Sequence, residues 1–89
     1  MSIRDQLHKT ILTLTDLYDA RGEKHSPQSD KYQILSDKMN VVDEDGDMFE
    51  AMRLAAEYSR CGRSFHVVYR NKLTASYLNG EYSYDATVL

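Results

Sequence analysis

The densest chemical signal in the chain is the stretch VVDEDGDMFEAM, which begins at residue 41 and contains five acidic residues. Carboxylates at this density could coordinate calcium, begin a helix or attract a basic partner. A calcium loop with Gly46 as its sixth residue would begin at Val41 and end at Met52, and neither side chain can supply a carboxylate ligand. A loop that begins at Asp43 places Met48 where glycine is required. The sequence therefore predicts no metal site here.

Asp47 and Glu50 have the spacing of a capping box, in which an acidic side chain accepts a hydrogen bond from a first-turn N–H group. They precede an apolar run, so we predict a third helix that ends near Arg60. This assignment leaves three neighbouring carboxylates without a predicted structural role. With one more acidic residue they form the predicted contact surface for a basic protein partner, which their local field would attract: Asp37, Asp43, Glu44 and Asp45.

One cysteine and three histidines do not have the spacing of a catalytic or metal site. Cys61 is predicted at the end of the third helix, where the helix dipole disfavours a thiolate. No second polar side chain is placed to orient His66 as a base, and His8 and His25 are distant in sequence. The motifs of phosphate loops, serine hydrolases and zinc proteases are absent from the sequence. We therefore predict no enzymatic activity, cofactor or metal, and interpret Cys61 as a small apolar residue.

A nucleic-acid interface is the alternative hypothesis. Tyr77, Tyr82 and Tyr84 have strand spacing and could stack on bases if they faced outward. The net charge of −3 disfavours binding to a polyanion, so we rank this function second. The residues that would carry it are Arg60, Arg63, His66, Arg70 and Lys72.

The first half of the chain shows helical periodicity. A stripe of apolar residues predicts a first helix over about 3–21, closed by Gly22. The same stripe could form the seam of a homodimer. Ser26 and Pro27 then resemble a helix start, so we predict a second helix over about 27–39, with a short strand around YQIL as the alternative.

The last third of the chain predicts three strands, SFHVVYR, LTASYL and EYSYDATV. Asn79 and Gly80 are typical of a two-residue hairpin turn, which places Tyr77 opposite Tyr82. A two-residue turn at Asn71 and Lys72 would require positive φ at lysine, so we predict a three-residue loop between the first two strands. The odd loop gives one apolar core face, made by Phe65, Val67, Leu73, Ala75, Tyr77, Tyr82, Tyr84, Ala86 and Val88.

Together these patterns predict one domain over residues 1–89 with an α+β fold. Its two or three helices would pack on one face of a three-stranded antiparallel meander, in the order helix-helix-helix-strand-strand-strand. No apolar run is long enough to span a membrane, the N-terminus does not resemble a signal peptide, and a lone cysteine fits the cytoplasm. The predicted function is a small non-catalytic protein-binding module, such as an acidic inhibitor or adaptor.

Overall fold

The structure is a computed structural model that describes residues 14–83. Within them lie two helices and one five-stranded antiparallel sheet, in the strand order β2-β1-β3-β4-β5. The elements are α1 (residues 14–21), β1 (Tyr32–Leu35), β2 (Val41–Asp45), α2 (Met48–Ser59), β3 (Phe65–Tyr69), β4 (Lys72–Leu78) and β5 (Glu81–Tyr82). The α+β class is confirmed, whereas the predicted arrangement of three helices followed by a three-stranded meander is wrong.

The error lies in residues 27–39, which form no helix. Strand β1 pairs with β2 on one side and with β3 on the other, so it is an inner strand of the sheet. Gln33, Ile34 and Leu35 are all buried, and a strand that is buried on both faces loses the polar–apolar alternation by which strands are recognised. Strand β2 was missed because its acidic residues are disfavoured in strands.

Helix α1 ends as predicted. It runs to residue 21, and Gly22 adopts a φ of 67° beyond it, while the Gly22 N–H donates to the Tyr18 carbonyl at 3.2 Å. The predicted start of this helix lies outside the described residues. Among the described residues, no helix is long and apolar enough to cross a membrane.

The turn between β3 and β4 differs from the predicted three-residue loop. It is a two-residue turn in which Arg70 and Asn71 have φ values of 47° and 70°. A bulge at Thr74 then shifts the pairing of the two strands by one residue. Val67 pairs with Ala75, whereas Val68 pairs with Leu73 and leaves Thr74 without a partner residue in β3. As a result, Leu73 lies on the opposite face from the predicted core.

The predicted turn between β4 and β5 is present. Asn79 and Gly80 have φ values of 55° and 83°, and Tyr77 pairs with Tyr82. A Cβ atom at Gly80 would lie 3.0 Å from Cγ of Arg60, so both the backbone conformation and the packing favour glycine. The last three residues of the predicted core face, Tyr84, Ala86 and Val88, lie outside the described residues.

The two faces of the sheet are unequal. Helix α2 covers one face through the small residues Ala51 and Ala55, beneath which lies the main core of Ile34, Val42, Phe65, Val67, Ala75 and Tyr77. The opposite face carries a smaller cluster of Leu35, Val41 and Val68, with Leu73 beside it. No described helix covers this second face.

Candidate functional site

The predicted acidic site lies along an outer strand of the sheet. Strand β2 lies at the edge of the sheet, with β1 on its inner side. The start of its outer side is covered by residues 23–24, where the Val41 N–H donates to the Glu23 carbonyl at 2.7 Å and Lys24 forms a bridge with Asn40. Farther along, no described strand pairs with the outer side of residues 43–45, whose inner side pairs with β1. We call residues 43–50, which include the first turn of α2, the acidic edge.

The three carboxylates of the acidic edge that lie in β2 have hydrogen-bond partners. Asp43 accepts from the Tyr58 hydroxyl at 3.0 Å, and Glu44 accepts from the Gln33 amide at 3.3 Å. Asp45 accepts from the backbone N–H group of Asp47 at 2.8 Å. The interpretation that these carboxylates have no structural role is therefore wrong. Sequence reasoning missed the first two partners because they lie 15 and 11 residues away.

These contacts hold the carboxylates in place without neutralising most of their charge. Burial and the nearby Asp43 carboxylate raise the pKa of Tyr58, so its hydroxyl stays protonated and donates. Lys31 approaches Glu44 only at 3.7 Å, and both side chains are about half exposed. Such a contact contributes little to stability. Asp43, Glu44 and Asp45 therefore keep most of their negative charge.

The predicted helix cap is present at Asp47. Its side chain accepts from the Glu50 N–H at 3.0 Å, and its extended backbone (φ −102°, ψ 127°) is that of an N-cap residue. Glu50 does not complete the predicted capping box, because its side chain pairs with Arg53. The hydrogen bond from Arg53 lowers the pKa of Glu50.

One aromatic ring stands among these carboxylates. The side chain of Phe49, in the first turn of α2, is 72% exposed. The buried side of the helix is formed instead by Ala51, Ala55 and Ser59. Phe49 therefore adds an exposed apolar ring to the acidic edge. In the sequence, Phe49 lies in the apolar run that predicts the third helix, and that pattern gives no sign of its exposure.

Asp37, the fourth residue of the predicted acidic site, lies elsewhere. It sits in the turn between β1 and β2 and accepts hydrogen bonds from Arg63 at 2.5 and 3.1 Å. Arg63 also binds Asp16 at 3.2 Å and Asp19 at 2.5 Å. We call these four residues the Arg63 cluster. It joins α1, the β1–β2 turn and the connection before β3, so its role is structural.

Asp19 is the buried centre of the Arg63 cluster. Its side chain is only 6% exposed and also accepts from Ser36 at 2.6 Å and from Asn40 at 3.0 Å. Burial raises its pKa, but the hydrogen bonds from Ser36, Arg63 and Asn40 outweigh burial and lower it. The sequence offered no signal for this cluster, because Arg63 binds carboxylates that lie 26, 44 and 47 residues away.

The residues of the predicted nucleic-acid interface do not form one patch. Arg63 is occupied by three carboxylates, and Arg60 pairs with Glu57 at 3.7 Å. Arg70 lies over the Tyr69 ring at 5.2 Å, beyond the other end of β3. Strand β3 has five residues, so its length of about 16 Å separates Arg60 and Arg63 at its start from Arg70 at its end. Exposed Lys72 follows Arg70 by two residues, across the turn before β4, so these two basic residues form a group separate from Arg60 and Arg63.

The predicted tyrosine platform is also divided. Tyr77 is only 8% exposed and belongs to the core beneath α2, whereas Tyr82 is 56% exposed. Their rings meet edge to face with centroids 5.7 Å apart. A base could therefore stack on Tyr82 but not on Tyr77 without disrupting the core.

Cys61 and His66 lie on opposite sides of the sheet. Cys61 packs against the core beneath α2. His66 pairs with Ser76 on the other face, and its Nδ1 lies 2.7 Å from the Ser76 hydroxyl. Burial lowers the pKa of His66. The two residues thus do not form a nucleophile–base pair, and no group of three or more potential metal ligands occurs within residues 14–83.

Comparison with protein-family models, with curated protein sequences and with solved structures returned no match.

Proposed function

We propose that the chain is a protein-binding module that uses the acidic edge to hold a basic protein partner. The observation that carries the proposal is the exposure of Phe49, 72%, within a turn of carboxylates. An aromatic anchor supplies contact area, and the surrounding charges select and attract a partner of opposite charge. A role as an inhibitor or adaptor in the cytoplasm belongs to this proposal.

The internal contacts of the acidic edge support the proposal. Hydrogen bonds from Tyr58, Gln33 and a backbone N–H group already orient three of its carboxylates. An ionised carboxylate offers about four acceptor sites, so each can also accept from a lysine or arginine of the partner. Because the carboxylates are held before binding, the partner does not have to order them.

A homodimer through helix 1 is a second assembly that the sequence suggested. Of the described stripe residues, Leu14 is 40% exposed, whereas Tyr18 packs against the main core. Leu17, which lies beside the stripe, is 58% exposed and extends the open surface of α1. The stripe residues Ile3, Leu7 and Ile11 lie outside the described residues. Analytical ultracentrifugation of the wild type and of Leu17→Ser tests this arrangement, since only the wild type should dimerise.

Photo-cross-linking tests which surface meets a partner. The photoreactive residue p-benzoylphenylalanine replaces Phe49 in one variant and Leu17 in a control, because both side chains are exposed. After irradiation in an extract of the source organism, mass spectrometry should identify a basic protein joined to position 49 but not to position 17. Equal products at both positions would mean that the acidic edge is not the contact surface.

Charge neutralisation then tests the electrostatic part with the purified partner. The triple variant Asp43→Asn, Glu44→Gln and Asp45→Asn should associate more slowly and show a weaker dependence on salt. The matched control neutralises three acids elsewhere, Asp30→Asn, Glu57→Gln and Glu81→Gln, and changes the net charge equally. If the two triple variants associate at the same rate, only the net charge matters.

The acidic-edge variant and a variant without two basic residues separate this proposal from the nucleic-acid alternative. A labelled single-stranded oligonucleotide should show no salt-sensitive binding to the wild type. Binding that is lost in Arg70→Gln with Lys72→Gln, but kept in the acidic-edge variant, would favour the alternative.

A further inference from the structure

A concave surface lies on the sheet face that α2 does not cover. It is a pocket of about 310 Å³ whose apolar wall is formed by Leu35, Met39, Val68 and Leu73. None of its lining residues is an aspartate, glutamate, lysine or arginine. We call it the sheet pocket. Its apolar lining suits an uncharged molecule, because a charged group would lose water there without gaining an opposite charge.

His25 closes one side of the sheet pocket and has both ring nitrogens occupied. The Gln33 amide oxygen accepts from the Ser26 N–H at 2.9 Å, while its nitrogen donates to Glu44, which fixes the orientation of the amide. His25 Nδ1 must therefore donate to that oxygen at 2.7 Å. Its Nε2 then accepts from the Asn71 N–H at 3.1 Å. His25 consequently acts as a wall and has no nitrogen left for a ligand.

His66 supplies the polar group that remains available. Its Nδ1 is engaged with the Ser76 hydroxyl at 2.7 Å, and its Nε2 has no hydrogen-bond partner among the described residues. No buried side-chain nitrogen or oxygen in those residues lacks a partner, so Nε2 must be accessible. A serine hydroxyl can donate or accept, so Nε2 can carry either a proton or a lone pair. Burial lowers the pKa of His66, which keeps the ring neutral at pH 7.

Met39 gives an independent sign that the apolar wall has a function. It has a φ of 65°, a conformation that glycine and asparagine adopt far more readily than methionine. Its side chain is also 48% exposed. Neither the turn nor the core accounts for methionine at this position. The side chain does line the sheet pocket, and methionine is common at surfaces that bind apolar ligands.

We propose that the sheet pocket binds a small neutral alcohol or phenol, with its apolar body against Leu35, Val68 and Leu73 and its hydroxyl group at His66 Nε2. A hydroxyl group is the polar group that matches both possible states of Nε2, because it can donate or accept. A carboxylate would have to leave water with no cationic side chain beside it. This site is separate from the acidic edge, so either proposal can fail without the other.

The probe for the test is 4-tert-butylphenol, titrated into ¹⁵N- and methyl-labelled protein and followed by NMR. Chemical-shift changes should be confined to residues that line the sheet pocket, above all Leu35, Met39, His66 and Leu73, with a dissociation constant on the order of 1 mM or below. The anion 4-tert-butylbenzoate has a similar apolar body and should bind at least about fivefold more weakly. The titration midpoint of His66 should move to lower pH when the phenol is bound, because the apolar body of the phenol excludes water from the ring and so disfavours its charged form.

Two variants locate the site. Met39→Asn suits the positive φ and should keep the fold, while its loss of apolar wall should weaken phenol binding about threefold or more. Phe49→Ser removes an exposed apolar side chain outside the sheet pocket and should leave the affinity for the phenol unchanged. The proposal is overturned if the phenol produces no shifts around the sheet pocket. It is also overturned if benzoate binds as well, or if Met39→Asn binds the phenol like the wild type.

Discussion

The Arg63 cluster and the acidic edge contain similar carboxylates with opposite uses. In the Arg63 cluster, three aspartates from two distant segments converge on one guanidinium, and Asp19 is almost fully buried. At the acidic edge, the partners are mainly neutral donors such as Tyr58 and Gln33, and the carboxylates stay near the surface. Negative charge that is matched inside the fold stabilises it, whereas charge that is only held in place remains free to act on another molecule.

The largest effect should follow from removing the cation of the Arg63 cluster. Arg63→Gln should lower the free energy of unfolding by about 2–4 kcal/mol, because Asp19 would remain buried without its charge partner. Urea unfolding measures this loss. Arg53→Gln is the matched control, since its partner Glu50 is exposed, and it should have little effect. Equal stability of the two variants would show that the Arg63 cluster is no more than a surface ion pair.

The pH dependence of stability should identify Asp19 as the centre of that cluster. Its pKa is lowered from 3.8 in the folded protein, so the unfolded chain binds the proton more readily. The stabilisation by Asp19 is therefore fully present above about pH 4 and is lost as the pH falls through the folded pKa below 3.8. The stability difference between the wild type and Asp19→Asn should shrink across that range in urea melts. A difference that stays constant down to pH 2 would contradict the assignment.

A smaller loss of stability should come from the helix cap at Asp47. Its carboxylate is exposed at the acidic edge, but it stabilises the fold by accepting a backbone hydrogen bond. Asp47→Ala should lower the free energy of unfolding by about 0.5–2 kcal/mol, because the Glu50 N–H loses its acceptor. Asp47→Asn keeps a capping oxygen and should lose much less. Thermal and urea melts of both variants check the comparison. Equal losses in the two variants would mean that the charge, not the cap, stabilises this end of α2.

The contrast also explains which features could be predicted from sequence. The Asp47 cap and the Asn79–Gly80 turn depend on residues close in the chain, so their spacing was sufficient. The Arg63 cluster could not be predicted, because its contacts span 26 to 47 residues and resemble ordinary surface charges in sequence. The pairing of β3 with β4 shows a further limit. Either a three-residue loop or a one-residue bulge can bring the apolar residues of both strands to one face, and the sequence predicts the loop whereas the structure has the bulge at Thr74. Counting residues between strands cannot distinguish the two.

The acidic edge was also predicted only in part, because its position in the sheet depends on residues that are distant in sequence. Asp43, Glu44 and Asp45 were recognised by their density, but strand β2 could not be recognised because acidic residues oppose strand propensity. Asp37 was grouped with them by proximity in sequence, although the hairpin turns it towards Arg63. Phe49 was missed because an apolar residue in a helix is assigned to the core unless the helix orientation is known.

The smallest effect on stability should come from Phe49, together with a large effect on binding. Phe49→Ser should change the free energy of unfolding by no more than about 0.5 kcal/mol, because the ring is 72% exposed and contributes little buried area. Its retention of the basic partner should nevertheless fall at least tenfold, as expected for an aromatic anchor. Urea melts and surface plasmon resonance measure the two quantities on the same samples. In Arg63→Gln the pattern should reverse, with a large loss of stability and, below its unfolding transition, nearly unchanged affinity. If Phe49→Ser loses stability in proportion to its loss of affinity, the ring stabilises the fold. The distinction between the Arg63 cluster, which stabilises the fold, and the acidic edge, which binds a partner, would then be wrong.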